Sequence, residues 1–291
     1  MIHRFYREGQ KLDVAGLNEI TVLIDRSETE MTEIGWNCWR PRLDGPPHKH
    51  NDKDQIFYVT DGKGIVRLGD RQYDVRPGVV VYVPAGLIHQ TITTGDEPLC
   101  YLLFNVFRTT DKEGHTSFAD HIEKVKQIRK KQAETGQAEV ENEGISIENI
   151  LPGKFIGSIE DGKVYDFGSN LTTLLLDRTQ TNRVEFVVVE WPPESRGAMV
   201  THKEKEQTFF ITDGSGTIVI GSEKADVKAG DLIFVPRNQP HTTKTTSEKL
   251  KYLCLNSLIT EVTDKNFEEM YNRIAPARIK RWQAGDTSTG E

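Results

Sequence analysis

Cysteine is scarce in this chain: Cys38, Cys100 and Cys254 are the only three among 291 residues, isolated and without a CxxC pair. An odd, scattered set argues against a disulfide framework and suits buried thiols in a reducing compartment. Long apolar runs are also missing. No stretch approaches the roughly 20 residues that span a bilayer, and the opening MIHRFYREGQKLD lacks the apolar core of a secretion signal. A soluble, cytoplasmic protein is the expectation. Positive charge is in deficit, with 37 Lys and Arg against 44 Asp and Glu and a formal charge of −7. No basic cluster interleaves with aromatics and no segment resembles a helix-turn-helix, so neither nucleic acid nor an anionic membrane is an expected partner. A small molecule is.

What the chain does have is a sentence written twice. Residues 45–62 read GPPHKHNDKDQIFYVTDG and residues 78–89 read GVVVYVPAGLIH; 152 positions later stand GAMVTHKEKEQTFFITDG and GDLIFVPRNQPH. The same offset joins Asp25-Arg26 to Asp177-Arg178, Trp39 to Trp191, Pro84 to Pro236 and His89 to His241. A register held without insertion implies duplication of one domain, and the length accommodates two domains of about 130 residues each.

Each copy consists of short β-branched and aromatic runs such as EITVLID, IFYVTD and VVVYVP, separated by Gly, Pro or Asp. That spacing predicts an all-β sandwich or barrel. TDGKG and TDGSG read as turns between strands, with glycine supplying positive φ. A helix is expected after each barrel, since Phe118, Ile122, Val125 and Ile128 recur at helical spacing, as do Phe267, Met270, Tyr271 and Ile274. Lys124, Lys126, Arg129, Lys130 and Lys131 then form its solvated face. The reading places the first domain at 1–131, a polar linker at 132–147, the second domain at 148–282 and a disordered tail at 283–291.

On a strand, side chains two apart share a face, so His48 and His50 are expected to converge on one point, with Gln55 opening the next strand and His89 following VVVYVP. Three imidazoles and one carboxamide oxygen form a neutral ligand set for a divalent transition ion, Fe, Mn, Ni, Zn or Cu, with positions left open. One metal per chain and no organic cofactor are expected. In the second copy His202, Gln207 and His241 persist, but Val200 replaces the counterpart of His48 and Asn238 that of Gly86. The second barrel is therefore read as a vestigial partner packed against the first, or as a weaker metal site at His202, Gln207 and His241. His3, His115 and His121 match nothing and are expected to be exposed.

The spacing H-x-H-x4-Q-x6-G followed by G-x5-P-x-G-x2-H resembles the two motifs of the cupin superfamily, and the whole chain resembles a bicupin, two tandem jelly-roll barrels. That resemblance implies metal at His48, His50, Gln55 and His89, with glutamine where most such families carry glutamate. Cupins with glutamine there include uronate-opening, isomerase and hydroxynitrile-lyase members, none of them redox enzymes. The D-x-F of the uronate-opening cupins is matched only in part by Asn105-Val106-Phe107. Asn105, Phe107, Trp39 and Tyr101, on strands expected to pass the site, are the candidate catalytic residues; barrel lining is the simpler role for each.

A metal left with its full positive charge by a neutral ligand set is a stronger Lewis acid. The favoured function is accordingly isomerase or lyase chemistry on a small polar sugar-acid, keto or enol substrate. The alternatives are a metal-dependent dioxygenase and a non-catalytic binding protein. Association of sheets into a homodimer is a further expectation.

Overall fold

The computed structural model describes residues 1–114, 116–135, 156–285 and 289–290. It divides into two compact units, Arg7–Ser158 and Ile159–Glu291 together with Met1–Tyr6.

In the first unit a seven-stranded antiparallel sheet runs in the order Ile156–Ser158, Val79–Val83, Lys53–Asp61, Leu99–Phe107, Thr32–Trp39, Asn18–Ile24, Gln10–Val14, and a smaller sheet pairs Gly64–Leu68 with Arg71–Val75 and His89–Thr93. Register explains the interior. Phe57 lies opposite Val81 on one side and Leu103 on the other, and Val59 opposite Tyr101. With period-2 alternation this puts Phe57, Val59, Val81, Tyr101 and Leu103 in one buried cluster. Lys53 and Gln55 continue the same face toward the open end of the barrel.

The second unit repeats the plan, with one difference at its turn. Gly62 (φ 75°) ends its strand as TDGKG predicts, and a Cβ there would lie 2.1 Å from the carbonyl oxygen of Pro98. Gly214 (φ 73°) is equally constrained, 1.9 Å from that of Lys249, yet the chain forms one bent strand, Lys205–Ile220. TDGSG is thus a bend with a slipped register between Ile211 and Asp213, not a turn between two strands.

The domain boundaries differ from the sequence reading in four places. Ile2–Phe5 pairs with Asp231–Val235 in the second unit, and Ile156–Ser158 pairs with Val79–Val83 in the first. Helix α1 covers Phe118–Thr135, so the expected linker begins inside it, and its remainder, like residues 148–155, falls outside the described residues. Helix α2 covers Phe267–Gln283, and part of the supposedly disordered tail, Thr289–Gly290, forms a parallel pair with Met199–Val200. An extended backbone with open hydrogen-bonding groups finds a free edge regardless of its polar composition.

Both helices begin at the repeated Asp-Arg dipeptide. The Phe118 amide donates to Asp25 Oδ2 (2.9 Å) and the Phe267 amide to Asp177 Oδ2 (3.3 Å). Phe118 and Ile122 are buried as the periodicity predicts, whereas Ile128 is exposed and Arg129, assigned to the solvated face, is buried.

The expectation of three isolated thiols is corrected: Cys38 and Cys100 face one another across adjacent strands with Cα atoms 4.1 Å apart, and form a disulfide. Cys254 alone is a buried thiol, its pKa pushed up to about 12 by burial. Among the described residues no helix is long and apolar enough to cross a membrane.

Candidate metal centre

The two histidines of H-x-H do not sit on a strand. His48 forms an isolated bridge with His89, through His48 N–H to His89 O (3.0 Å) and His89 N–H to His48 O (2.8 Å). The carbonyl of His50 accepts from the Gly86 amide at 2.6 Å. Backbone clamps thus do what alternation was expected to do. The rings converge, with centroids 4.3 Å apart for His48 and His89, 5.1 Å for His48 and His50, and 5.5 Å for His50 and His89. One ligating nitrogen from each of the three lies within 4.8 Å of the others, a group that could hold a metal ion.

Each ring is oriented by its other nitrogen where the structure shows it. His48 Nδ1 donates to Pro46 O (3.0 Å) and His89 Nδ1 to Leu87 O (3.0 Å), leaving Nε2 as the free acceptor in both. Burial holds the His89 pKa down to about 4. It also keeps those of His48 and His50 well below the ordinary imidazole value, helped by the His89 charge for the first and by Lys53 for the second. Neutral imidazole is the form that ligates.

Gln55 is aimed by a buried relay. Arg26 Nε donates to Glu33 Oε2 (2.6 Å), Asn105 Nδ2 donates to Glu33 Oε1 (2.7 Å), and Gln55 Nε2 donates to Asn105 Oδ1 (2.8 Å). A carboxylate only accepts, so Glu33 sets the direction of the Asn105 amide, which sets that of Gln55. The Gln55 oxygen is left buried without a hydrogen-bond partner, as is His89 Nε2. Two orphaned buried acceptors beside two further imidazoles have the donor chemistry of a metal site; a group left this way costs about 1–3 kcal/mol unless something binds it.

The weaker sequence candidates separate. Asn105 is a buried link of the relay, both ends of its amide engaged. Phe107 is fully buried and lies under the Arg26 guanidinium (4.9 Å) and the Lys53 ammonium (5.3 Å), and it does not line the cavity above the histidines. Trp39 and Tyr101 do line that cavity, of about 340 Å³, but Trp39 Nε1 (2.9 Å) and Asn37 Nδ2 (3.0 Å) both donate to the Tyr101 hydroxyl. That phenol, its pKa raised by burial, is a wall and not a proton carrier.

Sequence reasoning missed the cavity's cations. Lys53 is 1% exposed, and its ammonium has no hydrogen-bond partner. Arg129 and His121 reach the same cavity from α1, the His121 ring 6.5 Å from that of His50. His121 therefore sits at the site and not on an open surface; His3 is exposed, 3.4 Å from Asp231, and His115 lies outside the described residues. One signal was available for Lys53: it shares the Gln55 face, and Lys205 repeats it at the same offset.

In the second unit Val200 pairs with His241 as His48 does with His89, so valine occupies the structural place of the missing imidazole. Asn238 takes over the Gly86 position with φ 64°, an angle asparagine tolerates, and its amide binds His202 O at 2.6 Å. The relay recurs in part, with Arg178 Nε to Glu185 (2.7 Å) and Gln207 Nε2 to Asn256 Oδ1 (2.7 Å).

Two antiparallel barrels, each with a helix behind it and a histidine-lined mouth, define the class: the cupin-domain family matches residues 38–105 and again 187–256, and the chain is a tandem cupin-superfamily protein. Its fold is shared with oxalate decarboxylase from Lactobacillus farciminis, solved as a formate complex (TM-score 0.63, 14% identity, 90% of this chain and 87% of that one). A mutant oxalate decarboxylase from Bacillus subtilis gives TM-score 0.62 at 15% identity, covering 90% and 78% of the two chains. In sequence, 63 residues are 40% identical to glucose-6-phosphate isomerase from Thermococcus onnurineus, covering 20% of this chain and 33% of that protein. A further 52-residue match, at 31% identity, is to an uncharacterized protein of Methanocaldococcus jannaschii, covering 18% of this chain. The matched segments thus span only 42% and 33% of those two relatives' own lengths.

Proposed function

We propose that the first barrel is the active site of a metal-dependent isomerase or lyase acting on a small, anionic keto, enol or sugar-acid substrate, with one divalent transition metal per chain held by His48, His50, His89 and Gln55. The observation that carries this reading is the wholly neutral donor set: three imidazoles with ligating nitrogens within 4.8 Å of one another, and two buried acceptors in the same cavity, Gln55 Oε1 and His89 Nε2, without a hydrogen-bond partner. When bound, the metal supplies Lewis acidity toward a carbonyl or hydroxyl oxygen.

The chain's own residues do the rest. Lys53 and Arg129 give the cavity positive charge on two sides and hold the substrate's anionic group. His121, on α1 above His50, is within reach to move a proton, and the apolar walls of Phe57, Leu103 and Ile122 exclude water. A partial relative named as a glucose-6-phosphate isomerase supports the isomerase reading over the dioxygenase alternative.

Elemental analysis of the purified protein is the first test, with about one transition metal per chain expected and loss of it in His89→Ala and Gln55→Leu. Turnover is then screened over aldose phosphates, uronates and α-keto acids with an oxygen electrode in line. Substrate-dependent oxygen uptake would overturn the non-redox assignment, and full metal content in both variants would overturn the ligand set.

A further inference from the structure

The second barrel encloses a cavity of about 700 Å³, twice that above the three histidines. Its chemistry is not that of an emptied metal site. Helix α2 carries Arg278 into it at the place where α1 carries Arg129, and Arg278 makes no ion pair among the described residues. Its guanidinium lies over the Phe167 ring (5.3 Å), and its Nε is buried without an acceptor. Burial and the nearby charges of Arg281 and Arg273 lower its pKa to about 10. Lys205 enters the same cavity from the floor, on the face of Gln207 and 9% exposed.

The carboxylates along the rim are occupied or turned to solvent. Asp264 is gripped by Arg273 through two bonds (3.0 and 2.8 Å), Glu204 lies 3.7 Å from His202, and Glu261 is exposed. Beside these cations are two acceptors. Gln207 Oε1 is buried and unpartnered because its amide nitrogen is committed to Asn256. His241 donates its Nδ1 proton to Gln239 O (2.9 Å), which leaves Nε2 able only to accept.

We propose that the second barrel is a metal-independent binding site for a small hydroxy acid, whose carboxylate pairs with Arg278 and Lys205 and whose hydroxyl groups donate one to Gln207 Oε1 and one to His241 Nε2. The ligand class follows from complementarity: a guanidinium fork and an ammonium require an anion, and two lone pairs lining the same cavity require donors on the same molecule. A simple anion satisfies only the first half and a neutral sugar only the second. Val200, apolar where the first barrel has an imidazole, lines this cavity and keeps it from assembling three nitrogen donors.

The test is calorimetric titration of the full chain, stripped of metal with EDTA, using D-gluconate, D-galacturonate and citrate as probes and glucose and acetate as half-matched controls. At least one hydroxy acid is expected to bind with a stoichiometry of one and at least tenfold more tightly than either control. Arg278→Gln should weaken it at least tenfold and Gln207→Leu several-fold, both with unchanged circular dichroism, while Arg129→Gln in the first barrel leaves it intact. No binding of any probe by metal-free protein overturns the proposal. So does binding that survives Arg278→Gln but not Arg129→Gln, which would put the ligand in the first barrel. Metal content is measured on the same preparations before the EDTA treatment, so a failure of the first-barrel assignment reads out separately.

Discussion

Replacing Gln55 by glutamate is the substitution that intuition favours, since it adds an anionic ligand to a cation site, and the relay says it fails. Glu33, Asn105 and Gln55 are 0%, 2% and 4% exposed, linked at 2.7 and 2.8 Å with every donor and acceptor assigned. In Gln55→Glu a carboxylate oxygen faces Asn105 Oδ1 at hydrogen-bond distance. Turning the Asn105 amide over only moves the same conflict to Glu33. One hydrogen bond is lost and a second buried acceptor is stranded, a destabilisation of about 2–4 kcal/mol in the metal-free protein, which lowers the melting temperature of a domain this size by roughly 6–12 °C. Reversing the relay restores it. With Glu33→Gln added, the new carboxamide accepts from Arg26 and donates to Asn105 Oδ1, and Asn105 Nδ2 then donates to the carboxylate introduced by Gln55→Glu. The double variant Glu33→Gln with Gln55→Glu should therefore be more stable than the sum of the single changes by about 1–3 kcal/mol. Chemical denaturation of the four proteins without metal measures this coupling. Additive losses, or a Gln55→Glu protein as stable as the parent, would refute the directional argument.

Other consequences are more direct. Asn105→Leu, which removes the support and leaves every ligand in place, should weaken metal binding about 10- to 100-fold in a chelator competition; unchanged affinity would mean Gln55 is not a ligand. Val200→His should raise metal content from about one to about two per chain by elemental analysis, whereas His202→Ala in the parent leaves it at one. Stability should fall on acidification: the buried imidazoles stay neutral in the fold and take up protons on unfolding, so stability is complete above the unfolded pKa near 6.5 and is lost as the pH drops toward about 4. His89 alone accounts for about 3 kcal/mol of that loss, and urea titrations of metal-free protein between pH 7.5 and 4.5 should show it; a flat profile would contradict the buried, neutral state of the cluster.

The parts of the molecule legible in the sequence are those governed by short-range spacing. His48, His50, Gln55 and His89 could be singled out because they fall in two brief motifs, and the repeat marks three of the four again, at His202, Gln207 and His241. Long-range pairing left no such mark. Ile2–Phe5 is a short strand whose residues do not say which sheet edge it joins, and Cys38 and Cys100, 62 positions apart, meet only once the register of their strands is known. Arg129 was hidden among the lysines of α1, where composition suggests solvent and only the position of the helix over the barrel mouth shows otherwise. Asp25, Arg26 and Glu33 stood in plain view as part of the repeat. Their purpose needed the structure: the aspartate ties down the helix start, and the arginine and glutamate set the direction of an amide two strands away.

The same relay bears on why the second barrel is more than packing. A barrel kept only for stability gains by filling its interior with apolar side chains, since replacing buried polar and charged groups by hydrophobic ones of similar volume is often neutral or stabilising. The second barrel instead keeps Arg178 on Glu185 and Gln207 on Asn256, with the Gln207 oxygen open, and adds to the same cavity Arg278, which makes no ion pair among the described residues. Each open group weakens the empty protein by about 1–3 kcal/mol, and none of them supports a sheet or a helix. Val200 takes the place of one imidazole and leaves these groups in place. Their presence is reasonable only if a ligand fills the cavity, and the surviving pattern of two cations and two acceptors describes that ligand better than it describes a remnant of the first site.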